Sequence, residues 1–263
     1  MRGGGDLASG VILRLARAGV QVLVSELPQP LVVRRLVSFA EAVYSGAVQI
    51  EECTGRLVAD LADAVNYLNA NQIPVLVDPQ ARCLPAFRPD VLVDGRMTKQ
   101  APELKLDAAP LVIGLGPGFT AGLNCHAVVE TLRGHYLGRV YWQGTAIQDT
   151  GQPDAIANHQ ADRVVKAPTA GLFRARVQIG EYVEKGQVIA VVGGQEVHTT
   201  FSGRLRGLLH DGLQVPRGMK IGDVDPRDDL VSVHLVSDKA LAVGGGVMEA
   251  LLSRPDIARR MWA

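Results

Sequence analysis

From the first residue to about position 143, apolar residues gather in short unbroken runs separated by stretches with helical spacing. Residues 20–24, 73–77, 91–93, 111–115 and 139–142 are such runs and read as strands. They are continuous rather than alternating, which predicts that both faces of each strand are covered, as in a parallel sheet flanked by helices. Between them Leu7, Val11, Leu15 and Ala18 fall on one helical face with Arg14 and Arg17 opposite, and Leu57, Leu61, Ala64 and Leu68 repeat that spacing. Residues 31–44, entered after Pro28 and Pro30, predict a further helix.

This alternation predicts an α/β fold, a Rossmann-like doubly wound parallel sheet over residues 1–143. Such a fold places a strand before its first glycine turn, yet only Met1 and Arg2 precede Gly3. Two residues are too few for a central strand, so the expectation is either further apolar residues upstream or another segment in that position. Residues 144–162, rich in Gln, Asp, Gly and Thr and containing Pro153, read as a linker.

A different pattern follows. Ala167-Pro168-Thr169-Ala170-Gly171 returns as Thr200-Phe201-Ser202-Gly203, and the stretch Gly180 to Gly186 returns as Gly212 to Gly218, at an offset of 32 residues. Two copies of a strand-turn-strand unit, each too small to bury a face alone, predict a pseudo-twofold β-sandwich over 163–236. The pattern resembles the biotinyl/lipoyl-like, or barrel-sandwich hybrid, domain. Carrier members of that family present a lysine on the hairpin between the halves. Here the stretch from Val192 to His198 has no lysine, and Gln195 and Glu196 stand in its region. The resemblance therefore implies a scaffold without the carrier chemistry. Residues 237–263 predict a helical tail interrupted near Pro255.

Composition narrows the function classes. A formal net charge of zero gives no basic field to hold a nucleic acid. No apolar run is long enough to span a bilayer, and no export signal opens the chain, so a cytoplasmic protein is expected. Cys53, Cys83 and Cys125 lie far apart without metal-ligand or disulfide spacing, and reduced thiols are expected. Gly222 to Arg227, with Asp223 and Asp225, reads as a turn rather than a metal site.

The chemistry-bearing positions cluster at expected strand ends. Gly3-x-Gly5-x-x-Ala8 opens into a helix and fits a dinucleotide fingerprint, in which small residues admit a diphosphate to the helix N-terminus. Asp6 either caps the helix or, pointing inward, would repel a phosphate. Glu26 ends the next strand 21 positions after Gly5, where an acid can bind ribose hydroxyls. Asp94, Arg96 and Lys99 follow the strand at 91–93, where the two cations could clamp an anion or pair with their own neighbours. A second turn, Gly114 to Gly122, offers Gly116, Gly118 and the Thr120 hydroxyl, for binding or for packing alone. It leads into an expected helix capped by Asn124, which would put Cys125 at a thiol-activating helix start.

Taken together, residues 2–10, 25–35, 39–46, 90–99, 114–122 and 220–227 resemble the YqeB family, accessory proteins of the selenium-dependent molybdenum hydroxylase system. That resemblance implies a maturation role toward a molybdenum hydroxylase client or its assembly proteins, and it supplies no reaction. The nucleotide-bearing cofactor candidates are molybdopterin dinucleotide, ATP and NAD(P). If selenium is handled as a thiol adduct, Cys125 is the candidate. An NAD(P)-dependent oxidoreductase, with Lys99 as acid, and a non-catalytic adaptor are the alternatives, so enzymatic activity stays open.

Overall fold

The structure, a computed structural model, describes residues 1–98, 100–103, 105–148 and 163–261. It is mixed α/β, with parallel pairing concentrated in the N-terminal half and antiparallel sheets in the C-terminal half. The chain forms two compact units. One comprises Met1–Pro30, Phe39–Asp149 and Val236–Ala263; the other comprises Leu31–Ser38 and Thr150–Leu235.

The first unit contains α1 (Asp6–Arg17), β1 (Val24–Glu26), α2 (Ala42–Ser45), β2 (Ala47–Ile50), β3 (Cys53–Val58), α3 (Leu61–Asn69) and β4 (Ile73–Val77). It continues with α4 (Leu84–Phe87), β5 (Val91–Asp94), β6 (Leu111–Leu115), β7 (Thr120–Ala121), β8 (Ala127–Val129), β9 (Val140–Tyr141) and β10 (Gly144–Thr145). Two four-stranded arrays run β2-β3-β4-β1 and β5-β6-β8-β9. Residues 1–3 join them. Arg2 bridges Ser25 on one side and Asp94 on the other, both in parallel. Arg2 N–H donates to Val93 O (2.8 Å) and Gly95 N–H to Arg2 O (2.9 Å). Gly3 N–H donates to Ser25 O (2.8 Å) and Ser25 N–H to Met1 O (2.9 Å). Three residues thus supply four ladder bonds and fill the central position, correcting the expectation that two residues before Gly3 are too few. The neighbours of this segment lead outward as β1, β4, β3 on one side and β5, β6, β8 on the other, so the strand order reverses here.

The apolar runs earn their strands by burial. β6 is buried at all five positions, and β1 and β8 at all three. α1 packs its buried Val11, Ile12 and Leu15 into the unit. Its Gly10 lets it approach a helix from the far end of the chain, α5 (Asp238–Leu252), because a Cβ on Gly10 would sit 2.5 Å from Ala240 backbone atoms. Helix α6 (Pro255–Ala258) follows, with Pro255 in its first turn. Residues from 236 onward therefore belong to the first unit rather than forming a separate tail.

Several local expectations are corrected. Residues 31–44 are not one helix but two 3₁₀ turns, Arg35–Val37 and Phe39–Glu41, followed by α2. Leu57 lies in β3, not on the α3 face. The expected strand at 20–24 begins only at Val24, and Gly144–Thr145, expected as linker, pairs with β7. Residues 149–162 of the expected linker lie outside the described residues.

The second unit contains β11 (Val164–Lys166), β12 (Gly171–Ala175), β13 (Tyr182–Val183), β14 (Val188–Val192), β15 (Gln195–His198), β16 (Gly203–Leu208), β17 (Gln214–Val215) and β18 (Lys220–Asp225). Its two antiparallel sheets run β11-β18-β16-β13 and β15-β14-β12-β17. The pairs β12/β16, β13/β17 and β14/β18 start 32 residues apart and hold matching places in opposite sheets. The segment 31–38 joins this unit at the β16 bulge, where Gly207 leaves room: a Cβ there would lie 2.9 Å from Val33. Asp223 and Asp225 lie in strand β18, not in a turn; Arg163 and Lys220 pair with Asp223, and Arg206 and Arg227 with Asp225. The β14–β15 hairpin turns on Gly193 and Gly194, both at positive φ (55° and 86°), and its tip carries no lysine.

Candidate functional site at the carboxyl edge of the parallel sheet

The two strands that border the order reversal, β1 and β5, end in Glu26 and Asp94 at the carboxyl edge. After residues 1–3 the chain turns through Gly3, whose φ of 84° suits only glycine without strain, and enters α1 at Asp6 with Gly5 as N-cap. Gly5 has no side chain with which to cap α1, and among the described residues nothing lies within 4 Å of a Cβ placed on it. A Cβ on Gly3 would meet Arg96 at 3.3–3.4 Å. One on Gly95 would meet Ala8 and Leu115 at 3.2 Å, and one on Gly116 would meet the Met97 methyl at 3.3 Å. The first glycine turn, the loop after β5 and the start of the second glycine turn therefore converge. Met97 stands at φ 56°, a left-handed conformation unusual for its side chain.

The carboxylates at this edge are buried and engaged. Glu26, 7% exposed, accepts the Gly4 N–H on Oε1 (2.7 Å) and the Leu27 N–H on Oε2 (2.5 Å). Burial raises its pKa, against the pull of those two bonds. Glu26 is thus turned onto the glycine turn itself rather than standing free beside it. Asp94, 3% exposed, accepts from Arg96 Nη2 (2.7 Å) and Nε (2.9 Å) and from Arg2 Nη1 (3.3 Å). Glu103, with its side chain 71% exposed, takes bonds from Arg96 (2.9 Å) and Arg2 (3.1 Å). The hydrogen bond from Arg96 is the main cause that lowers the Glu103 pKa to about 2. Arg96 accordingly serves two carboxylates, and its charge is met within the protein.

The other expected site residues divide. Asp6 is the half-buried first residue of α1. Thr120 pairs with Thr145 in the β7–β10 ribbon, and its N–H is held by Asn124 Oδ1 (2.8 Å). Gly118 (φ 103°) precedes Phe119, which packs where a Gly114 side chain would stand. These far residues of the second turn serve packing, whereas Gly116 borders the crevice. Lys99 lies outside the described residues. Cys125 requires a correction. No helix starts at Asn124; Cys125 leads into β8, is 0% exposed, and burial pushes its thiol up to about 11. A desolvated neutral thiol is a poor nucleophile, so the structural basis for a reactive Cys125 is lost.

Three groups escaped the sequence reading. Arg2, 2% exposed, links Asp94, Glu103 and the Pro79 carbonyl (3.1 Å). Asp78, just past β4, caps the next turn by accepting from Arg82 N–H (2.9 Å) and Cys83 N–H (2.8 Å). Glu130, just past β8 and fully buried, gathers the N–H groups of Thr131, Leu132 and Ile147 at 2.7–2.8 Å. An acid directly after an apolar run was the available signal in both cases. A cavity of about 780 Å³ in this unit is lined by Met1, Arg2 and Ser25 together with residues 19–23, Phe87 and Val91–Val93 among others, and not by Gly5, Glu26 or Asp94.

No family model matches the chain. Over 252 residues it is 47% identical to the uncharacterized protein YqeB of Escherichia coli (strain K12), a match spanning 96% of this chain. The chain is similar to YqeB over nearly all of its own length. It spans 47% of the length of that YqeB protein, about half. Among solved structures, a succinylglutamate desuccinylase/aspartoacylase from Rhodobacter sphaeroides is 26% identical, covering 25% of this chain and 22% of its own, with a TM-score of 0.24. A succinylglutamate desuccinylase from Silicibacter is 12% identical, covering 81% of this chain and 60% of its own, also with a TM-score of 0.24. Likeness that low carries no argument about the fold or chemistry of this chain.

Proposed function

We propose that this chain is an accessory or maturation factor for a selenium-dependent molybdenum hydroxylase. In this reading its first unit is Rossmann-like and holds a nucleotide-bearing cofactor at the carboxyl edge. The second unit is a biotinyl/lipoyl-like scaffold without carrier function that docks on the client enzyme. One observation supports the cofactor part above the others: Gly3–Gly5, Gly95–Met97 and Gly116 meet where the strand order reverses, the place at which open α/β sheets take ligands.

The residues fit a phosphate in part. The glycine N-cap of α1 and the open space over Gly5 suit phosphate oxygens, which a helix N-terminus attracts. Glu26 suits hydroxyl groups of a ribose rather than a phosphate. Arg96, already met by Asp94 and Glu103, would orient a ligand more than neutralise it. Molybdopterin dinucleotide, ATP and NAD(P) all present the required combination of phosphate and hydroxyls. A non-catalytic adaptor is the second reading, favoured by the Gly4 N–H and the Arg96 guanidinium finding their partners inside the protein.

Native mass spectrometry of the freshly purified full-length protein, with selenium and molybdenum quantified, tests the proposal. A bound nucleotide-sized mass in the parent that is absent from a Gly5→Val variant is the expected result. A parent that carries no small molecule, and retains none of the three candidates when they are added, overturns the cofactor reading in favour of the adaptor.

A further inference from the structure

Gly4 faces two ways. Its N–H lies on Glu26 at the crevice, while its carbonyl accepts the Ala40 N–H (2.9 Å) and the Ser9 hydroxyl (3.0 Å). The Ser9 oxygen, fully buried, in turn accepts the Phe39 N–H (3.0 Å). Contact is close as well as polar: a Cβ on Gly4 would stand 2.8 Å from the Ala40 nitrogen. The backbone at 39–40 therefore cannot shift without the glycine turn shifting too.

One residue upstream of Phe39 the chain belongs to the second unit. Residues 34–38 are wound tightly there. Ser38 Oγ donates to Arg34 O (2.7 Å), Val37 N–H to Arg34 O (3.3 Å) and Ser38 N–H to Arg35 O (3.1 Å). Both backbone groups of a single β16 residue are then claimed by this segment. Leu208 N–H donates to Val33 O (2.8 Å), and Leu208 O accepts from Arg35 Nε (2.8 Å). Buried hydrogen-bonded backbone of this kind is stiff, because a bond broken without replacement leaves a polar group out of reach of water.

We propose that residues 31–38 form a coupling strap, which transmits a change in hydrogen bonding at Gly4 to the bulged end of β16. The functional meaning rests on the reading of the glycine turn as the cofactor site: occupancy there would be reported to the unit that meets the client. The mechanical link itself needs no ligand. Its path runs from Glu26 through Gly4, Ser9 and Phe39 into Ser38, Arg35 and Val33 and ends at Leu208, and Ser9 is a positioning residue that acts through the Gly4 carbonyl.

Amide hydrogen exchange on the full chain, read at Ala40 and Leu208 with Val191 in β14 as reference, tests the strap. Glu26→Ala frees the Gly4 N–H. It should accelerate exchange about 5-fold or more at both Ala40 and Leu208, at the low end of typical site-to-site coupling, and leave Val191 unchanged. In a Ser9→Ala background the same Glu26 substitution should move Leu208 less than half as much. Acceleration at Ala40 without Leu208, or at neither, overturns the strap. Glu26→Met, of similar length but without an oxygen acceptor for the Gly4 N–H, repeats the comparison if the alanine variant does not fold. Because no ligand enters this experiment, a negative cofactor result by mass spectrometry leaves its outcome intact, and the converse holds.

Discussion

Asp94→Asn is the sharpest probe of the carboxyl edge. The substitution keeps the shape of the side chain, removes its charge, and sets an amide N–H₂ against guanidinium donors. Asp94 and Arg2 have side chains only 4% and 3% exposed, so Arg2 loses a partner it cannot replace with water. Removing one member of a buried ion pair typically costs about 3–5 kcal/mol. Two features lower that figure: Arg2 keeps Glu103 and Pro79 O, and the Arg96 side chain, 20% exposed, can recruit solvent. We expect a loss of roughly 2–3 kcal/mol, near the lower bound for a broken buried pair. For a unit of this size that corresponds to a fall of about 5–10 °C in the Tm of the first unit. Glu103→Gln is the control, since Glu103 contacts the same arginines from an exposed position, where an ion pair is worth under about 1 kcal/mol. Calorimetry or urea titration of both variants decides the matter. An Asp94→Asn loss no larger than that of Glu103→Gln would refute the claim that the buried charge pair organises this edge.

Three further outcomes are expected. Gly10→Ala, by forcing a methyl into the Ala240 backbone, should destabilise the protein by about 1–2 kcal/mol: overpacking costs about 1–3 and better helix propensity returns up to about 1. A urea midpoint equal to or above that of the parent would contradict the close α1–α5 crossing. Cys125 should resist iodoacetamide at pH 7.5 in the native state and react on denaturation; mass-spectrometric detection of rapid native labelling would restore a reactive thiol. Glu26 has a folded pKa raised by burial, so its ionisation weakens the fold as pH rises from the unfolded value of about 4.3 through the folded one. Relative to Glu26→Gln, the parent should therefore lose stability between pH 4 and neutrality, and a constant or opposite difference in urea midpoints would sink that assignment.

Much of the architecture was legible because burial leaves a simple trace. Ile73–Val77, Val91–Val93 and Leu111–Leu115 are apolar without interruption, and all three lie in strands paired in parallel. The 32-residue echo likewise foretold antiparallel strands with matching partners. Less visible was anything set by distant partners. Residues 1–3 bridge the two sheets only because β1 and β5 receive them on either side. Residues 31–38 have helical spacing, yet the space over Gly207 and the Leu208 backbone draw them to the second unit instead. At the crevice, Gly3 and Gly5 stood out by their spacing before a helix, and Glu26, Asp94 and Arg96 by their places after strands. Which of them would spend their charge on each other could not be read, since Arg2 and Glu103 approach from positions 92 and 101 residues apart from Asp94 and Arg2 respectively. Cys125 was misplaced for a local reason: Asn124 looked like a helix cap, but its side chain closes a tight turn on Thr120 instead.

The exchange of β13 and β17 between sheets bears on how the second unit arose and how it can be taken apart. Each sheet draws its central pair from one repeat and both of its borders from the other. A solitary copy would expose two raw margins, so it could persist only by trading them with a twin. The unit thus has the anatomy of an intertwined homodimer fused into one polypeptide. Severed at Gly193–Gly194, its halves should survive only when produced together.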